Sequence, residues 1–301
     1  MVETDFSVLP PKSGWDLHCH TVFSDGTQSV EFMVHEAWRR MLHGVAITDH
    51  DTTAGWTAAQ EAAERLGEPV VRGTEITAVD DGVSVHMLAF QYNPRSQHIS
   101  RLFADTRKAR LERTKKMVAL ISQDYPIDWD DVLAQVKEGE RTTIGRPHIA
   151  DALVAAGVYP NRSAAFAGIV STRNRYYVPT PSPTTHEVVR AVGEAGGVCV
   201  IAHAGDPMRN RRLLSDAQIE TLIDEGLDGL EVWHRGHDEF QRRRLLGIAK
   251  RHDLLVTGGS DWHGAGKPNV LGECLTDDDT VKEIVARGAI SLAGVDAANL
   301  G

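Results

Sequence analysis

The chain has 301 residues, of which 42% are hydrophobic and 25% charged, and its formal net charge is −10 at pH 7. This composition is ordinary for a globular protein and excludes a disordered chain. The acidic balance argues against a protein that coats nucleic acid by electrostatics alone, so no stable nucleic-acid complex is expected. No apolar run approaches the roughly 20 residues that cross a bilayer, and no membrane role is expected.

Three cysteines, Cys19, Cys199 and Cys274, are odd in number and follow no pairing rule. Cysteines used in this way are typical of a reducing cytosol, which predicts a cytoplasmic protein. Cys19 and Cys199 sit inside apolar strands, where the simplest interpretation is that they are small buried hydrophobic residues. The oligomeric state is not readable from these features.

The first ninety residues alternate between predicted strands and helices. Helical periodicity and apolar runs, judged by their spacing, predict strands at 15–20, 45–48 and 70–75 and helices at 29–42 and 58–66. Gly44 and Gly67 are expected to end the two helices. Alternation around Asp80-Asp81-Gly82 predicts a β-hairpin over 76–90.

Composition shifts after Pro94, and residues 97 to about 170 are helical in pattern and rich in Arg and Lys. Strand–helix alternation resumes at 198–201, and a last strand is expected near 289–291. Repeated βα units that close on one site predict an α/β barrel. We therefore expect a barrel formed by 14–94 and 180–301, with 95–179 as an inserted small helical lid subdomain.

Histidines and carboxylates fall in short clusters at the ends of the predicted strands or inside them. They are His18, His20, Asp25, His50, Glu75, His86, His203, Asp261 and His263. Imidazoles inside apolar segments are costly unless something satisfies them. Because active residues of βα barrels lie at the carboxyl ends of the strands, these side chains are expected to converge.

The spacing of these residues indicates metal binding. His18 and His20 are two apart on a strand, so both side chains face the same way and can bind one ion, and Asp261 and His263 repeat this spacing. The set has no thiolate, which suits Mn, Zn or Fe and disfavours a closed structural zinc site. The donors are too many for one tetrahedral ion, so two or three divalent ions are expected, with Glu75 as a bridge.

Simpler interpretations exist for single members of the set. One His-X-His motif is weak evidence by itself, and an isolated histidine such as His86 is more often a hydrogen-bonded core residue. Glu231 follows an apolar run and either supports a ligand or simply ends its strand. The remaining histidines without a strand-end setting are expected on the surface or in packing roles; they are His35, His98, His186 and His252.

Taken in order, the motifs resemble the PHP (polymerase and histidinol phosphatase) family of metal-dependent phosphoesterases. The matching stretches are Asp16-Leu17-His18-Cys19-His20 with Ser24-Asp25-Gly26, Ile47-Thr48-Asp49-His50, Gly73-Thr74-Glu75, Ile201-Ala202-His203 and Gly258-Gly259-Ser260-Asp261-Trp262-His263-Gly264. Ala204 and Trp262 depart from a proline and a phenylalanine that are common in the family.

The resemblance implies a distorted seven-stranded (β/α) barrel with a di- or trinuclear metal centre. It assigns His18, His20, Glu75 and Asp261 to one ion, Asp25, His50 and His263 to a second, and Glu75, His86 and His203 to a third.

The resemblance extends into the insert through Gly145-Arg146-Pro147-His148-Ile149-Ala150 and Tyr177-Val178-Pro179. These stretches are similar to the subgroup that removes phosphate from nucleoside 3′,5′-bisphosphates or trims short RNA from its 5′ end. The implied activity is hydrolysis of nucleotide phosphate esters by a metal-bound hydroxide. The implied partner is a small nucleotide or a short oligonucleotide, as substrate.

Four residues are candidates for contact with this substrate. Arg146 is expected to clamp phosphate, since a guanidinium matches phosphate oxygens bidentately, although a solvated helix-end arginine is the alternative. His148 and His237 are both candidates for protonating the leaving group. Tyr177 could stack a base or pack in the core. The basic run over 107–116 could steer a polyanion, or it could be a solvated helix face.

Three other functions stay open at this stage. One is a phosphatase of the histidinol-phosphate type, and another is a non-catalytic module that binds metal or nucleotide. The third is an amidohydrolase-like barrel that cleaves C–N or C–O bonds. Such barrels also begin with His-X-His but typically bridge their metals with a modified lysine, whereas Glu75 fills that place here.

Overall fold

The computed structural model describes residues 9–209 and 212–295. The strands of this part are β1 (Trp15–Asp16), β2 (Gly44–Ile47), β3 (Val70–Asp80), β4 (Val83–Phe90), β5 (Val198–Ile201), β6 (Gly229–Trp233) and β7 (Leu255–Gly258). The helices are α1 (Val30–Arg39), α2 (Trp56–Leu66), α3 (Gln97–Ile121), α4 (Trp129–Leu133), α5 (Arg146–Ala155), α6 (Arg162–Ala167), α7 (Thr185–Glu194), α8 (Asp216–Asp224), α9 (Glu239–His252) and α10 (Asp278–Arg287).

The seven strands form one sheet in chain order from β1 to β7. β1, β2 and β3 pair in parallel, β4 is antiparallel to both of its neighbours, and β5, β6 and β7 are parallel again. The two edges meet beyond the strands, where Cys19 pairs with Trp262. There the Trp262 backbone N–H donates to the His18 carbonyl at 3.2 Å. The structure confirms the expected seven-stranded α/β barrel, which is nearly closed.

The side chains of each strand point alternately outward and inward, and they form two separate apolar layers. In β2, Val45 and Ile47 pack in the outer cluster that includes Val34 of α1, whereas Ala46 joins the inner cluster with Leu88 of β4. Successive side chains of a strand point to opposite faces, so a strand covered by helices outside and packed inside is apolar throughout. This explains why every residue of β2 is buried.

The helices between β4 and β5 have an apolar cluster of their own. It includes Met117 and Ile121 of α3 with Ile149 and Leu153 of α5. The segment before α5 is bound to the barrel, since the Thr143 N–H donates to the Phe23 carbonyl at 2.9 Å. The insert is therefore helical as its pattern indicated, while its bounds at 95–179 and its role as a lid stay predictions.

Two details of the sequence interpretation are wrong. The strand expected near 289–291 does not form; Ala289 and Ile290 instead donate their backbone N–H groups to the Gln91 carbonyl, at 2.8 and 3.2 Å. Gly44 opens β2 rather than ending α1. A Cβ at Gly44 would lie 2.1 Å from the Trp15 ring, so close packing explains this glycine.

Among residues 9–209 and 212–295, no helix has both the length and the apolar character needed to cross a membrane.

Glu68, in the turn before β3, is a buried carboxylate whose Oε1 has no hydrogen-bond partner among the described residues. Burial raises the pKa of this carboxyl from 4.5 to about 7, against the opposing influence of His43. The folded state thus binds the proton more tightly than the unfolded chain. The stabilisation from this proton is therefore present below the unfolded pKa and is lost as pH rises through the folded one.

We expect Glu68→Gln to remove this contribution to the pH dependence of the free energy of unfolding, because the amide does not ionise. Its free energy of unfolding should exceed that of the wild type by about 1–3 kcal/mol at pH 8 and should match it more closely at pH 5. Urea unfolding at both pH values measures this. Glu61→Gln, on the exposed face of α2, is the matched control. Equal pH slopes for Glu68→Gln and the wild type would contradict the account.

Candidate metal centre

The predicted ligands lie on or just after six strands of the barrel, because the sheet brings these segments to one end. They are His18, His20 and Asp25 after β1, His50 after β2, Glu75 in β3, His86 in β4, His203 after β5, and Asp261 and His263 after β7. All of them are buried except His86, which is half-buried. The structure thus brings together residues that are up to about 245 positions apart in the chain.

Three groups of ligand atoms lie close enough to hold ions, with the atoms of each group within 4.8 Å of one another. The groups are His20, Asp25, His50 and His263; His18, His20, Glu75 and Asp261; and His50, Glu75 and His86. Every predicted ligand except His203 belongs to at least one of these groups. The Nε2 atom of His203 instead lies 2.9 Å from Glu75 Oε1, and His86 Nδ1 lies 2.6 Å from the same oxygen.

The hydrogen-bond pattern is a test of whether metal ions fit here. Six buried ligand atoms have no hydrogen-bond partner among the described residues: His18 Nε2, His20 Nε2, His50 Nδ1, Glu75 Oε2, Asp261 Oδ1 and His263 Nε2. Buried polar atoms without partners are costly and call for an explanation. Imidazole nitrogens and carboxylate oxygens without thiolates suit Mn, Zn and Fe. The residues present therefore fit a cluster of divalent cations.

The electrostatics favour ionised carboxylates in this cluster. Burial by itself would raise the pKa of Glu75, but His86, His50 and His18 hold it well below its usual range. Burial would likewise raise the pKa of Asp25, which His263 and His50 lower. A carboxylate that binds a metal must be deprotonated, so both groups are in the form that ligation requires.

Glu231 in β6 supports two of the ligand segments. The His18 ring donates from Nδ1 to Glu231 Oε1 at 2.9 Å, and the His203 backbone N–H donates to Oε2 at 2.6 Å. The first bond fixes the tautomer and orientation of the ring, so that Nε2 of His18 is free to bind an ion. Of the two roles considered for Glu231, support of a ligand is therefore the one that fits, because Glu231 contacts two candidate ligands.

Asp49 orders the loop that carries His20. Its Oδ1 accepts from the Thr21 N–H at 2.8 Å and from Ser24 Oγ at 2.6 Å. The Ser24 hydroxyl in turn lies 3.4 Å from His20 Nδ1. These contacts restrict the imidazole of His20 to the side of the loop that faces the other ligands.

Two ligands have backbone conformations that residues other than glycine rarely adopt. The φ angles of His203 and Asp261 are 32° and 55°. Such conformations cost on the order of 1–3 kcal/mol each and persist where the surroundings impose them, often at functional sites.

Three residues near the cluster were missed by sequence reasoning. Lys267 Nζ donates to Asp261 Oδ2 at 2.8 Å, and the Arg209 guanidinium donates to the same oxygen. The His234 ring lies 5.7 Å from that of His203, and burial lowers the pKa of His234 to about 4. No motif surrounds these residues. Their only signal is that each follows a barrel strand: His234 comes directly after β6, whereas Arg209 and Lys267 come eight and nine residues after β5 and β7.

Arg146 and Tyr177, two of the predicted substrate-contact residues, lie together in the insert. Arg146 is the first residue of α5 and donates from Nη1 to the Val170 carbonyl at 3.2 Å. Its guanidinium lies over the Tyr177 ring, 5.7 Å from the centroid, and over Phe166 at 5.4 Å. Both roles first considered for Tyr177 remain compatible with this half-buried position.

The two candidate proton donors differ in their bonding. Nδ1 of His148 accepts from the Gly145 N–H at 3.2 Å, which leaves the proton of the neutral ring on Nε2. His237 donates from Nδ1 to the Val232 carbonyl at 2.9 Å and accepts at Nε2 from the Gly205 N–H at 3.0 Å. Both ring nitrogens of His237 are used by the backbone. The catalytic and substrate-binding roles of His237 stay predictions, and these two hydrogen bonds make His148 the better placed of the two candidates.

We expect Glu231→Gln to weaken metal binding by about 10–100-fold, because the amide removes the charged acceptor that orients His18. Metal titration of the purified variant, followed by mass-spectrometric metal analysis, measures the effect. Asp224→Asn, exposed at the end of α8, removes one carboxylate elsewhere and should bind metal like the wild type. Equal affinity in Glu231→Gln and Asp224→Asn would show that Glu231 does not support the site.

Comparison with known proteins gives several matches. The family model of the PHP domain matches residues 16–156. A phosphoribosyl 1,2-cyclic phosphate 1,2-diphosphodiesterase from Eggerthella lenta is 33% identical and aligns over 83% of this chain and 94% of its own. A 5′-3′ exoribonuclease from Haemophilus influenzae is 29% identical over 83% and 89% of the two chains. A 3′,5′-nucleoside bisphosphate phosphatase from Chromobacterium violaceum is 28% identical over 84% and 88%.

A solved structure is also similar along most of the chain. It is that of a protein from Bifidobacterium adolescentis, assigned by inference as a metal-dependent phosphoesterase, with 70% sequence identity and a TM-score of 0.93. The match covers 94% of this chain and 99% of the other. The barrel, the buried ligand cluster and these matches agree, and the chain belongs to the PHP domain family of metal-dependent phosphoesterases.

Proposed function

We propose that the protein hydrolyses phosphate esters of nucleotides, with a nucleoside 3′,5′-bisphosphate or a short 5′-phosphorylated RNA as substrate. The observation that carries this proposal is the convergence, at one end of the barrel, of buried ligand atoms that have no hydrogen-bond partner among the described residues. The three relatives support the substrate class, since their names refer to a ribosyl phosphate, to RNA and to a nucleoside bisphosphate. Glu75 of β3 supports this choice over an amidohydrolase-like site, which would typically have a modified lysine there.

We assign two or three divalent ions, Mn, Zn or Fe, to the nine candidate ligands. When bound, such ions would lower the pKa of coordinated water to near neutrality and would neutralise charge on phosphoryl oxygens. The geometric groups support positions close to those that the family pattern implies, with His20, His50 and Glu75 each contributing to two of them. His203 is retained as a ligand because its Nε2 faces Glu75.

The chain's own residues supply the remaining functions. Lys267 and Arg209 hold Asp261 Oδ2, so that Oδ1 is directed at the other ligands. His148 carries its proton on Nε2 and is our candidate for protonating the leaving oxygen. Arg146 is proposed as a phosphate clamp, with its planar guanidinium held over Tyr177. The Thr143–Phe23 hydrogen bond holds the insert to the loop after β1, and this supports our proposal that the insert covers one side of the site.

We also retain the proposal of a cytoplasmic location. Its support is that Cys19, Cys199 and Cys274 are free thiols.

Phosphate and nucleotide release from adenosine 3′,5′-bisphosphate and from a 5′-phosphorylated oligoribonucleotide, with Mn²⁺ present, tests the function. We expect turnover by the wild type and a loss of about 10³-fold or more in His20→Ala and Asp261→Ala, because each loses a ligand that positions the reacting group. His35→Ala, exposed on α1, is the control and should turn over normally. Release from neither substrate, or full activity in a ligand variant, would refute the proposal.

We expect Arg146→Ala to raise KM by about 10–100-fold, because one charge-assisted contact to phosphate is lost. The kcat value should change much less, since Arg146 is assigned to binding rather than to the reacting atoms. Steady-state kinetics on the better of the two substrates separates the constants. Arg173→Ala removes an exposed arginine of the same insert as the control. A fall in kcat alone would contradict the assignment.

A further inference from the structure

One arginine joins the insert to two loops that carry candidate ligands. Arg162 is the first residue of α6, and its side chain is only 10% exposed. Its Nη1 donates to the backbone carbonyl of the candidate ligand Asp25 at 2.7 Å. A Cβ at Gly266 would collide with the same nitrogen, so the guanidinium also packs against the segment that follows His263. The proposed function gives Arg162 no role.

Asp151 of α5 fixes the orientation of this guanidinium. Arg162 Nε donates to Asp151 Oδ1 at 2.8 Å, and Nη2 donates to Oδ2. A bidentate pair of this kind restricts the plane of the guanidinium as well as its position, so Nη1 is directed at the Asp25 carbonyl. Asp151 also balances the charge of Arg162, which would otherwise oppose a cation bound by Asp25.

Asp25 lies in a tight turn, and Arg162 holds the end of that turn. The Ser24 and Gly26 backbone N–H groups both donate to the Thr21 carbonyl, at 3.1 and 3.0 Å. The peptide group between Asp25 and Gly26 is therefore held from two sides, by Thr21 at its N–H and by Arg162 at its carbonyl. Because the side chain of Asp25 is short, its carboxylate moves with this peptide group.

Asp25 belongs to one of the three groups of ligand atoms that lie close enough to hold an ion. We call this group, which consists of His20, Asp25, His50 and His263, the Asp25 group. Asp25 Oδ1 lies 3.1 Å from His263 Nε2. The loops of these two residues are also joined directly, since the Thr27 N–H donates to the His263 carbonyl at 3.1 Å. A displacement of the Asp25 backbone would therefore separate ligand atoms of this group.

We propose that Arg162 is a positioning residue for the divalent cation that the Asp25 group binds, and that it acts through the Asp25 carbonyl. Within the described residues, Arg162 donates hydrogen bonds to Asp25 and Asp151 alone. Ions bound by the other ligand groups should therefore depend on it much less. The inference rests on the proposed function only for the presence of divalent ions, so metal binding without a nucleotide tests it independently of turnover.

Equilibrium dialysis against Mn²⁺ with no nucleotide present, followed by metal analysis, measures the number and the affinity of the bound ions. We expect Arg162→Gln to bind one ion about 10–100-fold more weakly than the wild type and the remaining ions equally well, as is typical when a group that orients a ligand is removed. Arg175→Gln is the matched control, because it breaks an exposed arginine–carboxylate pair of the same insert. Equal weakening of all ions, or of none, would overturn the proposal.

Two further variants test the contact itself. Arg162→Lys should recover part of the lost affinity, because it restores the charge without the planar guanidinium. Asp151→Asn should weaken the same ion, because it removes the charged acceptor that orients and balances Arg162. The double variant Arg162→Gln/Asp151→Asn should bind this ion no more weakly than Arg162→Gln, since both substitutions act through one contact. Additive losses of affinity would contradict this account. If Arg162→Gln does not fold, Arg162→Lys and Asp151→Asn provide the same comparison.

Urea unfolding and the Mn²⁺ dependence of turnover separate positioning from a merely structural role. At saturating Mn²⁺ we expect Arg162→Gln to recover most of the wild-type kcat, with the Mn²⁺ concentration for half-maximal rate raised about 10–100-fold. A lower free energy of unfolding of the metal-free variant with unchanged ion affinity would assign Arg162 to stability alone and overturn the proposal. If the wild type cleaves no nucleotide, the proposed function fails, and the dialysis still decides the role of Arg162.

Discussion

The buried carboxylate of Glu75 is the constraint on which the rest of the site depends. Both of its oxygens face imidazoles that come from other strands. Those within 3.4 Å are His18, His20, His50, His86 and His203. Removing a carboxylate from water costs several kcal/mol unless opposite charge and hydrogen bonds compensate for it. The compensation exists only when the barrel holds five segments in register, so the stability of this end of the barrel and its capacity for metal binding are coupled.

Apolar packing inside the barrel and hydrogen bonds at the strand ends together maintain this register. The apolar inner cluster, with Leu88 and Val200 among its members, fills the interior below the ligands. At the strand ends, Glu231 accepts a hydrogen bond from the His18 ring, and Asp49 accepts one from the Ser24 hydroxyl that lies beside His20. Preorganisation of this kind keeps the ligand atoms directed at one place, and it explains why strained backbone is tolerated at His203.

The insert is bound to the same loops that carry the ligands. Arg162 bridges Asp151 and the Asp25 carbonyl, to which it donates at 2.7 Å. Arg110 donates to Asp51, which directly follows the candidate ligand His50. A shift of the insert would therefore disturb residues adjacent to the metal ligands. This coupling gives the insert a physical means of affecting the geometry of the centre.

The sequence by itself determined the alternation of strands and helices, the helical insert and the candidate ligands. It could do so because the local periodicity of apolar residues indicates which side chains are buried. A ligand such as His18 can also be recognised from its side-chain type and from its spacing to neighbouring ligands. The tertiary structure alone decided that Arg209 and Lys267 meet at Asp261, that both nitrogens of His237 are occupied, and that 289–291 is not a strand. These outcomes depend on how loops distant in sequence pack against one another, and no local pattern encodes such contacts.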